Sequence, residues 1–589
     1  MKNIYILMIC LAFVFKAEAQ LPPVFQSMDT ALVRSTSLTT KYITPSRIIW
    51  KTDESGEFIK NSEYVLKPGS GQADLRRDDF LMIRNDSISN HGIILDFGRE
   101  IQGGIEIVLP RGNMNPAGTL RVRFGESVAE VMSNVGENGA TNDHAIRDFE
   151  ILVPKLGRIN VGESGFRFVR IDLVDPNSRV FIKEISAVFR YRDIPYKGSF
   201  KCNDQRLNDI WMTGAYTVHL NMQDYLWDGI KRDRLIWVGD MHPEVMTINS
   251  VFGYNEVVPN TLDFVKKQTP LPNYMNGIGS YSIWWILIQR DWYYYQGDLE
   301  YLKKQKEYLT GLLNQLSDKI KEDGSESLDG ERFLDWPSSE NKDAIHAGLH
   351  SLMLLGFEAG KELSEILGDK ETVQLCEASV KKLKKHTPSM AGSKQAAALL
   401  AMANLVSPEV SNKSMLAQNG VKNMSTFYGY YMLIARAMAG DYQGAIDNIR
   451  EYWGAMLDLG ATTFWEDFNI DWKENAARID EIVPENKVDV HGEYGDYCYV
   501  GYRHSLCHGW ASGPTAWLSR YVLGVNVVDP GCKKIVVEPH LGDLSWVEGT
   551  FPTPYGLLEL RHEKLPNGSV KTTYKKPQEI EVELVNSNE

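Results

Sequence analysis

The feature that most constrains this chain is a change of texture along it. From about Leu21 to Tyr196 the sequence is made of short, β-branched runs. Gly92-Ile93-Ile94-Leu95-Asp96-Phe97 and Ile105-Glu106-Ile107-Val108-Leu109 are of this kind. Leu120 to Phe124 and Phe166 to Ile171 alternate apolar and basic residues, as half-buried strands do. From about Asn203 to Leu523 the period becomes helical. Leu207 to Met222, Tyr281 to Tyr295, Leu299 to Ile320 and Gly348 to Leu363 show it, as do Thr372 to Leu383, Lys394 to Leu405, Ser425 to Ala439 and Tyr442 to Met456. After Val525 the β texture returns, in Lys533 to Glu538 and Gly556 to Leu560.

Strands and helices segregated in this way build separate layers. Many consecutive helices without intervening strands suit a toroid of paired helices, the (α/α)6 barrel, better than a small bundle. A solenoid would share the periodicity, but no fixed-length repeat is present. The expected organisation is a signal peptide over residues 1–19, an N-terminal β-sandwich over 20–198, the barrel over 199–524 and a closing β-sandwich over 525–589. A length of 589 residues supports several domains.

The N-terminus reads as an export signal. Lys2 precedes an apolar run from Ile4 to Phe15, and Ala17-Glu18-Ala19 offers a cleavage site. That run is too short to span a bilayer, and no later stretch suits a transmembrane helix. The expected location is secreted, periplasmic or at the cell surface. Five cysteines follow Ala19, namely Cys202, Cys376, Cys498, Cys507 and Cys532, scattered and without C-x-x-C pairing. They predict buried thiols rather than a disulfide framework or a zinc site. The net charge of −14 and the lack of a Lys/Arg run exclude a nucleic-acid surface.

Four segments concentrate chemistry. Tyr225 to Glu244 holds Asp228, Asp233, Asp240 and Glu244 among Lys231, Arg232, Arg234, Trp227 and Trp237. Glycoside hydrolysis needs a carboxylic acid whose pKa is set by neighbouring charges, and this mixture supplies one. The same composition also suits a surface loop of Arg–Asp pairs capping a helix. Gly460 to Phe468 places Glu466 and Asp467 beside Trp465 after a helix; the alternative is an ordinary turn with a capping acid. Arg503 to Pro514 carries His504, His508 and Trp510 among small residues, and His508 suits a substrate hydroxyl. Phe333 to Pro337 pairs Asp335 with Trp336, either a sugar platform or a cap beside a core indole. His504/His508 and His346/His350 are spaced by four, but neither has the H-E-x-x-H form, so no metal and no cofactor is expected. No G-x-S-x-G, P-loop or G-x-G-x-x-G is present.

In order and content these segments resemble family 78 glycoside hydrolases, the inverting α-L-rhamnosidases. Asp228 to Asp240 is similar to the family's D-x-P-x-R-D-E-R-x-x-W-x-G-D stretch. Thr462-Thr463-Phe464-Trp465-Glu466 is similar to its T-T-x-W-E, Leu334-Asp335-Trp336 to its L-D-W loop and Ser505 to Gly513 to its S-x-x-H segment. The resemblance runs from about Leu95, with L-D-F-G-R-E-I-Q-G-G, to the C-terminus. It implies Glu466 as general base. The first stretch is one residue short. Aligned from its W-x-G-D end, Asp233 takes the position of the general acid, with Glu244 as the alternative. The resemblance implies sugar binding by Asp228, Arg232, Trp237, Asp240, Asp335, Trp336, Trp465 and His508. The implied substrate is a terminal α-L-rhamnosyl or related deoxy-sugar unit on a plant or algal oligo- or polysaccharide. The rival expectation is a non-catalytic carbohydrate-binding relative that has lost the acid. The sequence leaves the oligomeric state open.

Overall fold

The computed structural model describes residues 36–75, 79–114 and 118–585. The expected signal segment lies outside them. From Leu38 onward the described residues belong to one compact unit.

The N-terminal part is antiparallel β. Its strands are β1 (Leu38–Ile43), β2 (Arg47–Lys51), β3 (Ile59–Lys60), β4 (Leu81–Arg84), β5 (Gly92–Leu109) and β6 (Gly118–Gly125). After helix α1 (Val128–Met132) come β7 (Asp148–Val153), β8 (Gly157–Leu173), β9 (Arg179–Ile182) and β10 (Glu184–Arg192). The large sheet has the order β1-β10-β5-β8-β6-β7, with β2 on β5, and a small sheet has the order β3-β4-β9. The long β5 and β8 are its spine and are buried over most of their length. Ile83, Val180 and Ile182 of the small sheet share a core with Ile93, Ile105 and Ile107 of the large one.

Strand β11 (Ser199–Cys202) leads into the helices. These are α2 (Gln205–Asn221), α3 (Met241–Val251), α4 (Val257–Gln268), α5 (Gly279–Gln296), α6 (Leu299–Ser317), α7 (Lys342–Ile366) and α8 (Lys370–Leu383). Then follow α9 (Lys394–Met402), α10 (Pro408–Ser411), α11 (Gly429–Met438), α12 (Tyr442–Asn448), α13 (Gly454–Asp458) and α14 (Gly513–Trp517). Polar turn residues start them. Side chains of Asp204, Asp298, Asn341, Asp369, Ser393 and Asp441 each accept an N–H of the first turn of α2, α6, α7, α8, α9 and α12. Gly297, at φ 70°, ends α5 in the left-handed conformation that favours glycine. No described helix is long and apolar enough to cross a membrane.

The C-terminal strands are β12 (Val525–Val527), β13 (Lys534–Val537), β14 (Trp546–Thr553), β15 (Gly556–Lys564), β16 (Val570–Lys575) and β17 (Glu581–Leu584). They form the sheets β11-β14-β15-β16 and β12-β13-β17. Residues 199–202, expected at the start of the helical segment, are therefore an edge strand of the closing sheet. The molecule is a helical body with β-rich flanks. The described cysteines carry free thiols; Cys498 is half-buried and the other four are buried.

Candidate active site

Three loops of the helical body converge on one cavity. The first runs from the end of α2 to the start of α3. Asp228 folds it: Oδ1 accepts the Leu235 N–H at 2.9 Å and Oδ2 the Asp233 N–H at 3.2 Å. The second follows α13. The Glu466 N–H donates to the Ser505 carbonyl and its Oε2 accepts the Ser505 N–H, both at 3.0 Å. Its own carbonyl accepts Thr426 Oγ1 at 2.6 Å and Trp510 Nε1 at 2.8 Å. The third loop is 504–510. The His508 N–H donates to the Phe464 carbonyl, and the Gly509 N–H to that of Asp228. Each loop is thus tied to the next through its backbone.

The loops line a cavity of about 240 Å³. Asp228, Arg232, Asp233, Trp237, Asp240, Trp336, Glu466 and His508 border it. Arg232 stands between two acids, with Nη2 3.3 Å from Glu466 Oε1 and Nη1 3.5 Å from Asp233 Oδ1. His508 Nε2 lies 3.8 Å from Asp228 Oδ2 and from Glu466 Oε1, and 4.0 Å from Asp240 Oδ2. Trp237 Nε1 donates to Asp233 Oδ2 at 3.2 Å, and the Tyr281 hydroxyl to Asp240 Oδ1 at 2.8 Å. The Asp233 side chain is 22% exposed, against 3% for Asp228, 4% for Asp240 and 7% for Glu466, so it is the carboxyl most open to an entering molecule.

Burial dominates the electrostatics. It pushes Asp228 up to about 7, helped by the charge of Asp233. It carries Asp240 well above the carboxylate range, with Asp228 adding to the effect and the Tyr281 hydroxyl opposing it. Glu466 is raised by burial, while Arg232 and the Ser505 N–H pull it back towards the ionised form. Burial, with Arg232 and His504 adding, holds His508 well below the usual imidazole range, so the ring is neutral.

Beneath the cavity lies a buried charge cluster that the sequence segments did not announce. Lys231 Nζ sits 3.0 Å from Glu126 Oε2 and 3.4 Å from Glu130 Oε1, and donates to the carbonyls of Tyr502 and His504. Glu126 also accepts Ser505 Oγ and the Leu506 N–H. Glu126, Glu130 and His491 offer ligand atoms within 4.8 Å of one another. Lys231 supplies the positive charge there, and His491 Nδ1 and Nε2 are engaged with Ser127 Oγ and the His504 carbonyl.

Three expected site residues stand off the cavity. Glu244 is buried in the first turn of α3, and neither carboxyl oxygen has a hydrogen-bond partner among the described residues. It packs under Gly509, where an added Cβ would meet its Oε1 at 1.9 Å. Its carboxyl does not line the cavity, whereas that of Asp233 does. Asp335 caps a 3-10 turn, accepting from Ser338, Gln395 and Ser425. All its bonding is internal, because a short side chain at an N-cap is drawn to the exposed N–H groups. Trp465 is buried edge-on against Phe468 and His504. Tyr281, Asn276, Glu331, Tyr499 and Arg503 line the cavity without having been singled out. Tyr281 sits in a helix whose aromatic run reads as core. Arg503 opens the histidine segment and Tyr499 lies just before it, and that proximity was the available signal.

The bacterial α-L-rhamnosidase six-hairpin glycosidase domain matches residues 195–522, and the bacterial α-L-rhamnosidase C-terminal domain matches residues 524–588. A curated α-L-rhamnosidase of Alteromonas sp. (strain LOR) is 23% identical over 528 residues, covering 80% of this chain and 53% of that protein. The chain thus spans about half the length of the curated relative it matches. Among solved structures, a GH78 rhamnosidase of Bacillus sp. GL1 superposes with a TM-score of 0.72 at 21% identity, over 87% of this chain and 55% of its own. A rhamnosidase of Klebsiella oxytoca with rhamnose bound gives a TM-score of 0.62 at 17% identity, over 82% of this chain and 96% of its own. The likeness to these structures is one of fold.

Proposed function

The chain belongs to the bacterial α-L-rhamnosidases of glycoside hydrolase family 78, with their six-hairpin glycosidase domain, and from that premise we propose that it is an inverting exo-glycosidase. The substrate class is a terminal α-L-rhamnosyl, or related deoxy-sugar, unit on a plant or algal polysaccharide. The helical body is read as an (α/α)6 barrel carrying the site at one end, and the Lys2 to Ala19 segment supports export. One observation carries the reading: a single guanidinium, Arg232, touches both Asp233 and Glu466 across the cavity.

Inversion needs an acid on one side of the sugar and a base with room for water on the other, their carboxyl groups roughly 6.5–9.5 Å apart. Two acids held by the two ends of one guanidinium are separated by at most about 9 Å, so the pair does not exceed the upper end of that window. Glu466 is the base. Its carboxylate is held by the Ser505 N–H and Arg232, and its raised proton affinity suits abstraction from water. Asp233, the more open carboxyl, is the acid that protonates the leaving oxygen. Asp228, Asp240 and neutral His508 present acceptors and a donor to sugar hydroxyls, and Trp237 and Trp336 supply apolar faces.

Hydrolysis of an aryl α-L-rhamnoside and of a rhamnosyl oligosaccharide tests this. Wild type should turn over both, releasing the inverted anomer by NMR. Glu466→Gln should lose ~10²–10⁴-fold on both, and Asp233→Asn should lose most on the oligosaccharide, whose leaving group needs the proton. A wild type that binds rhamnosides without cleaving either would put the binding-protein reading in its place.

A further inference from the structure

Asp233 faces a side chain from outside the helical body. The segment joining α1 to β7 leaves the N-terminal sheet and docks on the 495–503 loop. The Tyr502 N–H donates to the Asn138 carbonyl at 2.7 Å, and Asp143 pairs with Arg503. A Cβ on Gly139 would stand 2.5 Å from the Val500 carbonyl, so the two backbones are in contact. This docking puts His144 Nε2 3.4 Å from Asp233 Oδ1 and His144 Nδ1 3.3 Å from Asp143 Oδ1. His144 Nδ1 and Asp233 Oδ1 are buried and have no hydrogen-bond partner among the described residues.

Both ring nitrogens therefore face carboxylate oxygens. A neutral imidazole has one N–H to donate. Directed at Asp143, it leaves the contact with Asp233 in need of a second proton, on Nε2 or on Oδ1. The charged groups around the ring are Asp143 on its own segment, Arg503 behind Asp143, and Asp233 with Arg232 from the loop after α2. Arg232 places a positive charge 3.5 Å from the same Asp233 oxygen that His144 Nε2 approaches.

We propose that His144 is a positioning residue of the hydrolytic site, oriented by Asp143, that keeps and returns the proton Asp233 delivers to the leaving sugar. The proposal rests on Asp233 being the acid. In the step, the anomeric C–O bond breaks towards the glycosidic oxygen, which takes the Asp233 proton. Water adds to the anomeric carbon and gives its proton to Glu466. His144 then takes a proton from solvent on Nε2 and passes it to the Asp233 carboxylate, and Glu466 releases its own proton to solvent.

The test compares wild type with His144→Ala and His144→Gln on a rhamnosyl disaccharide and on a nitrophenyl rhamnoside across pH. At neutral pH both variants should lose ~10–100-fold in kcat on the disaccharide, less than about 3-fold on the nitrophenyl substrate, and the alkaline limb for the disaccharide should move to lower pH. Equal losses on both substrates, an unmoved limb, or a His144→Gln variant that behaves as wild type would overturn the proposal. If wild type cleaves neither substrate, the rhamnosidase reading has failed. The pairing itself is then read without turnover, from the ring-nitrogen NMR signals of His144 in wild type and in Asp233→Asn. A moved Nε2 signal supports the shared proton, and an unmoved one overturns it.

Discussion

Asp228 does two jobs that pull against each other. Its carboxyl organises the loop by accepting two backbone N–H groups, yet it is buried among other acids. Burial, with the Asp233 charge, pushes it up to about 7, whereas an unfolded aspartate titrates near 4. A folded value raised above the unfolded one gives stability that is complete below the unfolded value and is lost as pH rises through the folded one. The stability of wild type relative to Asp228→Asn should therefore fall by on the order of 2–4 kcal/mol between about pH 4 and 7, then level off. Buried His350 and His562, held down to about 4 by burial, act in the opposite sense, but equally in both proteins. Urea midpoints measured across this range check it, and parallel curves for the two proteins would refute it. Single residues were legible where chemistry and spacing coincided: Asp228, Arg232, Asp233, Asp240, Glu466 and His508 all meet at one cavity. Glu244 and Asp335 were less legible, because an acid at the start of a helix looks the same in sequence whether it lines a cavity, packs under a neighbouring loop as Glu244 does, or caps a turn as Asp335 does.

Between elements, the clamp of Lys231 on Glu126 and Glu130 joins the N-terminal sheet to the loops of the site. Burial works against the Lys231 charge, but Glu126 and Glu130 hold it above the ordinary ammonium range. Glu126 itself is pushed to about 7 by burial. Removing one partner of such a pair strands the other in a dry interior. Lys231→Met should cost about 3–5 kcal/mol. Combined with Glu126→Gln, the loss should be smaller than the sum of the singles, since the residues are in contact. Denaturant titration of the four proteins decides it; a Lys231→Met variant as stable as wild type would sink the clamp. Helices with one buried face, such as α6 and α8, could be read from their period. Helix α3 could not, because all eleven of its residues are buried and no polar face marks its turns. The single period read over Tyr442 to Met456 runs on through a π segment at Ile449–Trp453 that joins α12 to α13.

At the scale of the molecule, the β flanks differ in how they are attached. The N-terminal sheets pack around a core of their own. The closing sheets do not: Ile535, Val537, Val547, Phe551, Leu558 and Leu560 belong to the same core as the helices. Strand β11, at the entrance to the helices, is paired along its length with β14. Gly297 at the end of α5 meets Gly531 so closely that an added Cβ would stand 2.8 Å from its Cα. Ending the chain at residue 524 would therefore strip β11 of its partner and expose helix residues that those side chains cover. Each large apolar side chain so lost is worth about 1.5–3 kcal/mol, and several together rival a whole domain's stability of roughly 5–15 kcal/mol. The truncated chain should fail to accumulate as a soluble protein, or should lose its cooperative thermal transition by far-ultraviolet circular dichroism. A soluble fragment 1–524 with the intact chain's helical signal and a single sharp melt would show that the helical body stands alone, and that its core does not depend on the closing sheets.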